Sequence, residues 1–367
     1  NTYNFIPQNR ETSFGNVYEM LKLKVYFDGQ ELDKFASLFG AFMFTYNPFK
    51  DLQLKFIASS FATDERINYD IQGQYWLSET GLGYEDEEGL ERGIGTYIEH
   101  ARNHLVANIF NIEHKGYKFY DEGKLTWGIK YQRELIYDRV NEWKMVDSAG
   151  YTIPSTPDIP GIYDTVAAPN LQNVFKSNNE ITSNRINAYL QRDWKKYSKI
   201  GNWYANAGAR LMYWDFNNEV FVSPRASISF APAIKYDLLF RFATGIYAQS
   251  PFYKEFRNEK GEINPDIRSQ KSWHVVLSGD WKFTMLDRPF KLMTSAYYKY
   301  MWDLIPYRVD NVQLRYSAQN NSIGYAKGID VRLYGEFIKG IDSWLSLSFM
   351  NTEEDIEGDN AGFIPRP

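Results

Sequence analysis

The stretch QKSWHVVLSGDWKF, residues 270–283, sets the tightest constraint on what this chain folds into. From Ser272 onward its even positions are Ser272, His274, Val276, Ser278, Asp280 and Lys282. Its odd positions are Trp273, Val275, Leu277, Gly279, Trp281 and Phe283. Successive side chains of a strand point to opposite faces. Such a segment therefore needs water on one side and a nonpolar medium on the other, and it carries tryptophan near each tip.

The same period-2 alternation recurs along the chain. Leu125, Trp127, Ile129, Tyr131, Leu135 and Tyr137 oppose Lys124, Thr126, Lys130, Gln132 and Glu134. Ala226, Ile228 and Phe230 oppose Arg225, Ser227 and Ser229. Ile329, Val331 and Leu333 oppose Asp330, Arg332 and Glu336. About twelve segments of this kind occur, near 34–46, 51–63, 104–119, 124–138, 183–197, 203–215, 219–231, 238–249, 271–283, 290–303, 325–337 and 343–353. Those at 34–46 and 104–119 alternate poorly, so their faces are left unassigned. Most of the segments exceed the roughly 5–6 residues of a globular strand and reach the roughly 9–11 needed to cross a bilayer at a tilt. Short, turn-rich links at 47–51, 120–124, 198–202, 231–237, 285–289 and 339–343 alternate with long polar ones at 64–103, 139–182, 250–270 and 304–324. Outer-membrane barrels show the same asymmetry. The brief Asn217-Asn218-Glu219 link breaks the rule and predicts a projecting hairpin. The expected fold is all-β, an antiparallel transmembrane β-barrel, with no internal domain boundary. A soluble antiparallel sheet with one buried face is the competing reading, since it also alternates.

Composition supports the membrane reading. Aromatic residues make up 17% of the chain, with 28 Tyr, 25 Phe and 10 Trp, and Tyr and Trp gather at membrane–water boundaries. On β-segments they would form a belt: Trp281 and Phe283 at one headgroup level and Trp273 nearer the other, with Tyr298, Tyr300 and Trp302 on the next segment. The net charge of -5 does not favour a nucleic-acid partner, and the absence of cysteine excludes disulfides, thiolate metal sites and a cysteine nucleophile.

Several stretches resemble TonB-dependent outer-membrane transporters: FVSPRASISFAP (221–232), DLLFRFATGIYAQSPFYKEF (237–256), NPDIRSQKSWHVVLSGDWKF (264–283), YKYMWDLIPYRVDN (298–311) and NNSIGYAKGIDVRLYGEF (320–337), in that order. NYDIQGQYWL (68–77) is similar to the Bacteroidota branch. Where many members carry proline-glutamate after the Asn-Pro, this chain has Ser269-Gln270. The resemblance implies a barrel of about 22 strands around an N-terminal plug, in the bacterial outer membrane, importing a bulky nutrient: a siderophore, glycan, peptide or cofactor. Its partners would be membrane lipid, an energy-coupling protein of the TonB type acting through the plug, and in some settings a surface lipoprotein. The plug, the coupling box and a terminal aromatic strand are not in this sequence. Residues 1–367 are accordingly read as one incomplete barrel domain.

The resemblance places the ligand contacts in the outer loops, whose candidates are Tyr75, Trp76, Tyr97, Trp143, Tyr151, Tyr163, Phe252 and Tyr253. Arg210, Arg225, Arg241, Lys282 and Arg332 fall in the wet rows, with Asp280 and Asp330 as local counter-charges. They are expected to face the lumen and to hold an acidic plug in preference to an anionic ligand. Arg133 interrupts an apolar row toward its outer end, where a long side chain reaches the headgroups. Pro224 removes a ladder hydrogen bond and is expected above the membrane. His100, His104 and His114 stand near Glu99 and Glu113, but zinc spacing would need a helix there, so no metal is expected. The acidic runs Glu85–Glu88 and Glu353–Asp359 lack calcium-loop spacing. No catalytic constellation and no cofactor motif is present. The alternative function is a non-transporting barrel that scaffolds a surface lipoprotein or an assembly complex; an enzyme ranks last.

Overall fold

The structure, a computed structural model, describes residues 2–15, 20–80, 91–148, 151–152, 171–310 and 313–366. The described residues form sixteen strands. They are β1 (Thr2–Gly15), β2 (Met20–Phe49), β3 (Leu52–Thr80), β4 (Glu91–Tyr120), β5 (Gly123–Ser148), β6 (Tyr151–Thr152), β7 (Leu171–Ser198) and β8 (Gly201–Trp214). They continue as β9 (Glu219–Pro232), β10 (Asp237–Gln249), β11 (Gln270–Met285), β12 (Arg288–Leu304), β13 (Tyr307–Asp310), β14 (Gln313–Tyr316), β15 (Ser322–Ile338) and β16 (Ile341–Ile356). One sheet runs in sequence order from β1 to β16, with β6 pairing only β5; β13 and β14 form a separate hairpin. Its pairings are antiparallel. This neighbour-to-neighbour order is the wall of an up-and-down barrel. Each of the twelve expected segments falls on one strand, with Asp51 of 51–63 and Asp215 of 203–215 one residue beyond its end. β1 is not among those segments; it contains Pro7, and its ladder with β2 shifts register between Phe5 and Gln8.

Two expectations fail. The links at 64–103 and 139–182 are largely strand: β3 runs on to Thr80, β4 starts at Glu91, β5 reaches Ser148 and β7 starts at Leu171. Face polarity decides which medium a strand meets, whereas the backbone needs partners in either case. The Asn217 hairpin does not project either. Trp214 is 0% exposed, its ring lies against Phe216 and Phe256, and Asn217 Nδ2 donates to the Ile267 carbonyl at 2.6 Å. The segment 250–269 covers the hairpin and buries its aromatic tip.

The chain divides into two packing units. The first comprises Asn1–Leu38, Phe61–Asn108 and Ile136–Ile181. Its buried apolar residues are Ala101, Leu105 and Ala107 on β4, Ile136 and Val140 on β5, and Phe175 and Ile181 on β7. The second comprises Phe39–Ser60, Ile109–Leu135 and Thr182–Pro367. There the apolar rows stay exposed. Adjacent residues across the ladders form the row Trp194, Ala205, Ile228, Phe242, Leu277, Ala296, Ile329 and Phe349. Leu277 is 59% exposed, Ile228 43% and Phe349 71%, while Val331 is intermediate. No second sheet covers this face among the described residues, which removes the compact-sandwich alternative for it.

The unit's turns follow from local chemistry. Gly123 and Gly201 open β5 and β8 at φ of 140° and 147°. A Cβ on Gly201 would meet the Ala231 carbonyl oxygen at 2.5 Å, and one on Gly123 would meet that of Asp193 at 2.0 Å, so only glycine fits either place. Pro224 stands opposite Ala209 of β8. The β9–β10 ladder stops one residue short of it, at Arg225–Gly245, so its missing N–H leaves no gap on that side.

Candidate functional site

The polar face of the second unit carries the charge. Along one register row stand Gln191, Gly208, Arg225, Gly245, His274, Lys299 and Ala326. Arg210 sits between Tyr189 and Ser223 on a neighbouring row. Gly245 matters because a Cβ there would approach Arg225 Cγ to 2.9 Å. Its absence lets Arg225 lie across the sheet, with Cζ 4.1 Å from the centre of the Tyr247 ring. His274 packs on the same ring at 4.5 Å, and Ser272 Oγ lies 2.9 Å from His274 Nε2. Arg210 lies 5.8 Å from the Tyr189 ring centre. A concavity of about 300 Å³ opens beside Arg210, Arg225, Tyr189 and Tyr247, lined among others by Gln191, Asn206, Ser223 and Ser227.

The predicted wet-row charges divide into two kinds. Arg241 donates from both terminal nitrogens to Asp280, at 3.0 Å each, and Lys291 reaches the same carboxylate at 3.1 Å. Lys282 pairs with Asp237 at 3.1 Å. Asp330 accepts from the Ser348 hydroxyl and not from an arginine, and Arg332 donates to Tyr334 Oη at 3.1 Å. Arg210 and Arg225 have no carboxylate partner among the described residues. His274 was placed on the wet row but given no role, and Tyr189, Tyr247, Lys291 and Lys299 escaped the sequence reading; their parity with Arg225 and Asp280 across the ladders was the signal that could have found them.

The belt residues lie on the opposite face. Trp273 is exposed and donates from Nε1 to Thr244 Oγ1 at 3.0 Å. Trp281 and Phe283 are in ring contact at 4.5 Å. Tyr298 stacks on Tyr325 at 6.4 Å and Tyr300 on Trp302 at 6.0 Å.

The eight aromatic candidates are not one constellation. Tyr75, Trp76, Tyr97 and Trp143 lie on strands β3, β4 and β5, not in loops. Tyr75 and Tyr97 face each other at 6.1 Å, with Lys144 Nζ 5.1 Å from the Tyr97 ring centre. Trp143, the neighbour of Lys144 on β5, points to the other face and stacks on His100 at 4.6 Å. Tyr151 is on the short β6, and Tyr163 lies outside the described residues. Phe252 and Tyr253 do belong to a loop, at the start of a single 3₁₀ turn, Tyr253–Phe256. Phe252 is exposed and meets Tyr316 edge-on at 5.5 Å. Beneath it the Glu255 carboxylate accepts the Phe252 N–H and the Gln270 amide, both at 2.9 Å. Burial pushes the Glu255 carboxyl up from the usual range.

The histidines take separate partners. His100 contacts Asp70 at 2.6 Å, His104 contacts Asp64 at 3.1 Å, and His114 lies against Phe56. Of the acidic runs, Glu353 accepts from Tyr325 Oη at 2.6 Å and Asp359 pairs with Arg366; Glu85–Glu88 lie outside the described residues. Arg133 is exposed.

No family model matches the sequence, and no curated protein matches it. Solved structures do. The chain is similar to the "Copper transporter OprC" at 11% identity, over 97% of this chain and 60% of that one, with a TM-score of 0.49. It is similar to the siderophore receptor PirA from Pseudomonas aeruginosa at 9% identity, over 95% of this chain and 65% of that one, with a TM-score of 0.47. It is similar to the RagAB peptide transporter at 10% identity, over 94% and 50%, with a TM-score of 0.44. The chain thus spans half to about two thirds of the length of these structures.

Proposed function

We propose that this chain is wall of a transmembrane barrel in a bacterial outer membrane, and that the whole protein imports a bulky nutrient with energy supplied through a TonB-type coupling protein. The exposed apolar row from Trp194 to Phe349, backed by a charged face, carries the reading. A water-surrounded protein rarely leaves so large an apolar patch open, whereas hydrocarbon on that side and water on the other satisfies both rows. The order of the transporter-like stretches between 221 and 337 supports import over a passive pore. In this reading Phe252, Tyr253 and the Tyr75–Tyr97 pair offer aromatic platforms to the incoming solute. The edges of β16 and of β2 beyond its pairing with β1 would take further strands of the same polypeptide.

The test compares cells bearing and lacking the full-length protein. Both are fed an isotope-labelled extract of the growth medium, with and without a protonophore. The proposal expects a set of labelled compounds to enter only in energised, protein-bearing cells. Equal uptake in all four conditions contradicts it, and equal uptake together with a stable lipoprotein complex favours the scaffold.

A further inference from the structure

We propose that the Arg210–Arg225–His274–Lys299 side of the polar face binds a small polyanion, a solute carrying carboxylate or phosphate groups. This deepens the import reading and rests on it, because it assigns a ligand class to the lumen face.

Charge comes first. Several cations on this face are already neutralised: Arg241 and Lys291 by Asp280, and Lys282 by Asp237. Arg210 and Arg225 are not, and among the described residues no carboxylate contacts them or Lys299. Three permanent or near-permanent cations and one histidine thus share adjacent register positions with no counter-charge of their own. Self-repulsion in such a cluster is unfavourable unless an anion completes it.

Placement is the second observation. Arg225 does not extend into solvent. It lies flat over Gly245, pressed to Tyr247, which is backed in turn by His274. Its Nε–H is buried and finds no acceptor. A guanidinium held on an aromatic face keeps its terminal donors oriented and loses little entropy when an anion arrives. The third observation is space: the concavity of about 300 Å³ beside it is lined among others by Ser223, Ser227, Gln191 and Asn206. The two serine hydroxyls suit the remaining oxygens of a carboxylate or phosphate ligand, while the Gln191 and Asn206 amides already donate to Asp193, which Lys124 also pairs. A fixed acidic side chain from elsewhere in the full-length protein is the competing occupant, and the test separates the two.

The full-length protein, purified in detergent, is titrated calorimetrically with inorganic pyrophosphate, with propane-1,2,3-tricarboxylate and with neutral raffinose. We expect saturable 1:1 binding of at least one anion, none of raffinose, and a preference between the two anions that names the chemistry. R210Q and R225Q each weaken binding at least tenfold, while K339Q, in the exposed β15–β16 turn and outside the concavity, leaves it within twofold. Heat-modifiable gel migration checks that each variant is folded. Folded protein that binds neither anion overturns the inference and leaves the barrel reading intact. So does binding unchanged in R225Q. Loss of heat-modifiable migration in the unsubstituted protein would instead strike the barrel reading.

Discussion

Arg241 on β10 and Asp280 on β11 meet as a two-point ion pair across the ladder, with both donor–acceptor distances at 3.0 Å and Lys291 of β12 on the same carboxylate. Asp280 is buried while Arg241 remains partly open to water. The pair pins three consecutive strands. Asp280→Asn removes the charge that both cations share, and thermal unfolding in detergent should fall by an amount corresponding to about 1–3 kcal/mol. Arg241→Gln should cost less, because Lys291 still serves the carboxylate.

Ala296 and Ser295 are neighbours on β12 that point to opposite faces. Ala296 lies between Leu277 and Ile329, and Ser295 between Ser278 and Asp330. Ala296→Arg should destabilise the folded protein in bilayers by roughly 2–4 kcal/mol, the cost of a cation near the midplane. Ser295→Arg, beside a carboxylate and on the wet side, should cost well under half of that. Urea-driven unfolding in lipid vesicles measures both.

Gly201→Ala places a Cβ 2.5 Å from the Ala231 carbonyl oxygen, in a backbone conformation that side chains rarely adopt. A loss of about 1–3 kcal/mol is expected. Gly340→Ala meets nothing within 4 Å, but its φ of 78° still disfavours a side chain; it should cost less than Gly201→Ala in the same unfolding assay.

Glu255 gives the loop at 250–269 a pH dependence. Burial raises its pKa, so the folded loop holds this proton more tightly than the unfolded one. The stabilisation is complete below the ordinary glutamate range and is lost as pH rises through the elevated value. Hydrogen exchange of residues 252–267 should therefore show Glu255→Gln better protected than the unsubstituted protein at pH 8, with the gap closing by pH 4. A gap that is equal at both values, or widens in acid, contradicts this sign.

The strands were legible wherever one face is wet and the other is not, as in 271–283. Where that contrast breaks down, either the faces could not be assigned or the strand's length was underread. β2 beyond Leu38 carries Phe39 and Met43 on one parity and Phe42, Phe44 and Tyr46 on the other, all exposed, so no alternation marks it. β4 buries Leu105 and Ala107 on one parity and exposes Phe110 and Ile112 on the other, which blurs its pattern. The stretches 64–80 and 139–148 are polar enough to look like loops, yet their backbone groups still pair. Of the site, parity placed the charged residues on one face. It did not show which cations were already neutralised, because Arg241–Asp280 and the Arg225–Tyr247 contact both depend on cross-strand register set by distant turns.

The central claim is that hydrocarbon meets the odd-numbered face of 273–281 and water meets the even-numbered one. Residues 1–367 hold no cysteine, so in the full-length protein, with any cysteine outside them replaced by serine, single cysteines at 273 through 281 can each carry a spin label without background. In lipid vesicles the account predicts collision rates that alternate: positions 273, 275, 277, 279 and 281 favour oxygen, and 274, 276, 278 and 280 favour a water-soluble nickel chelate or are shielded by protein. Odd positions shielded from both relaxants, as inside a protein core, would contradict it.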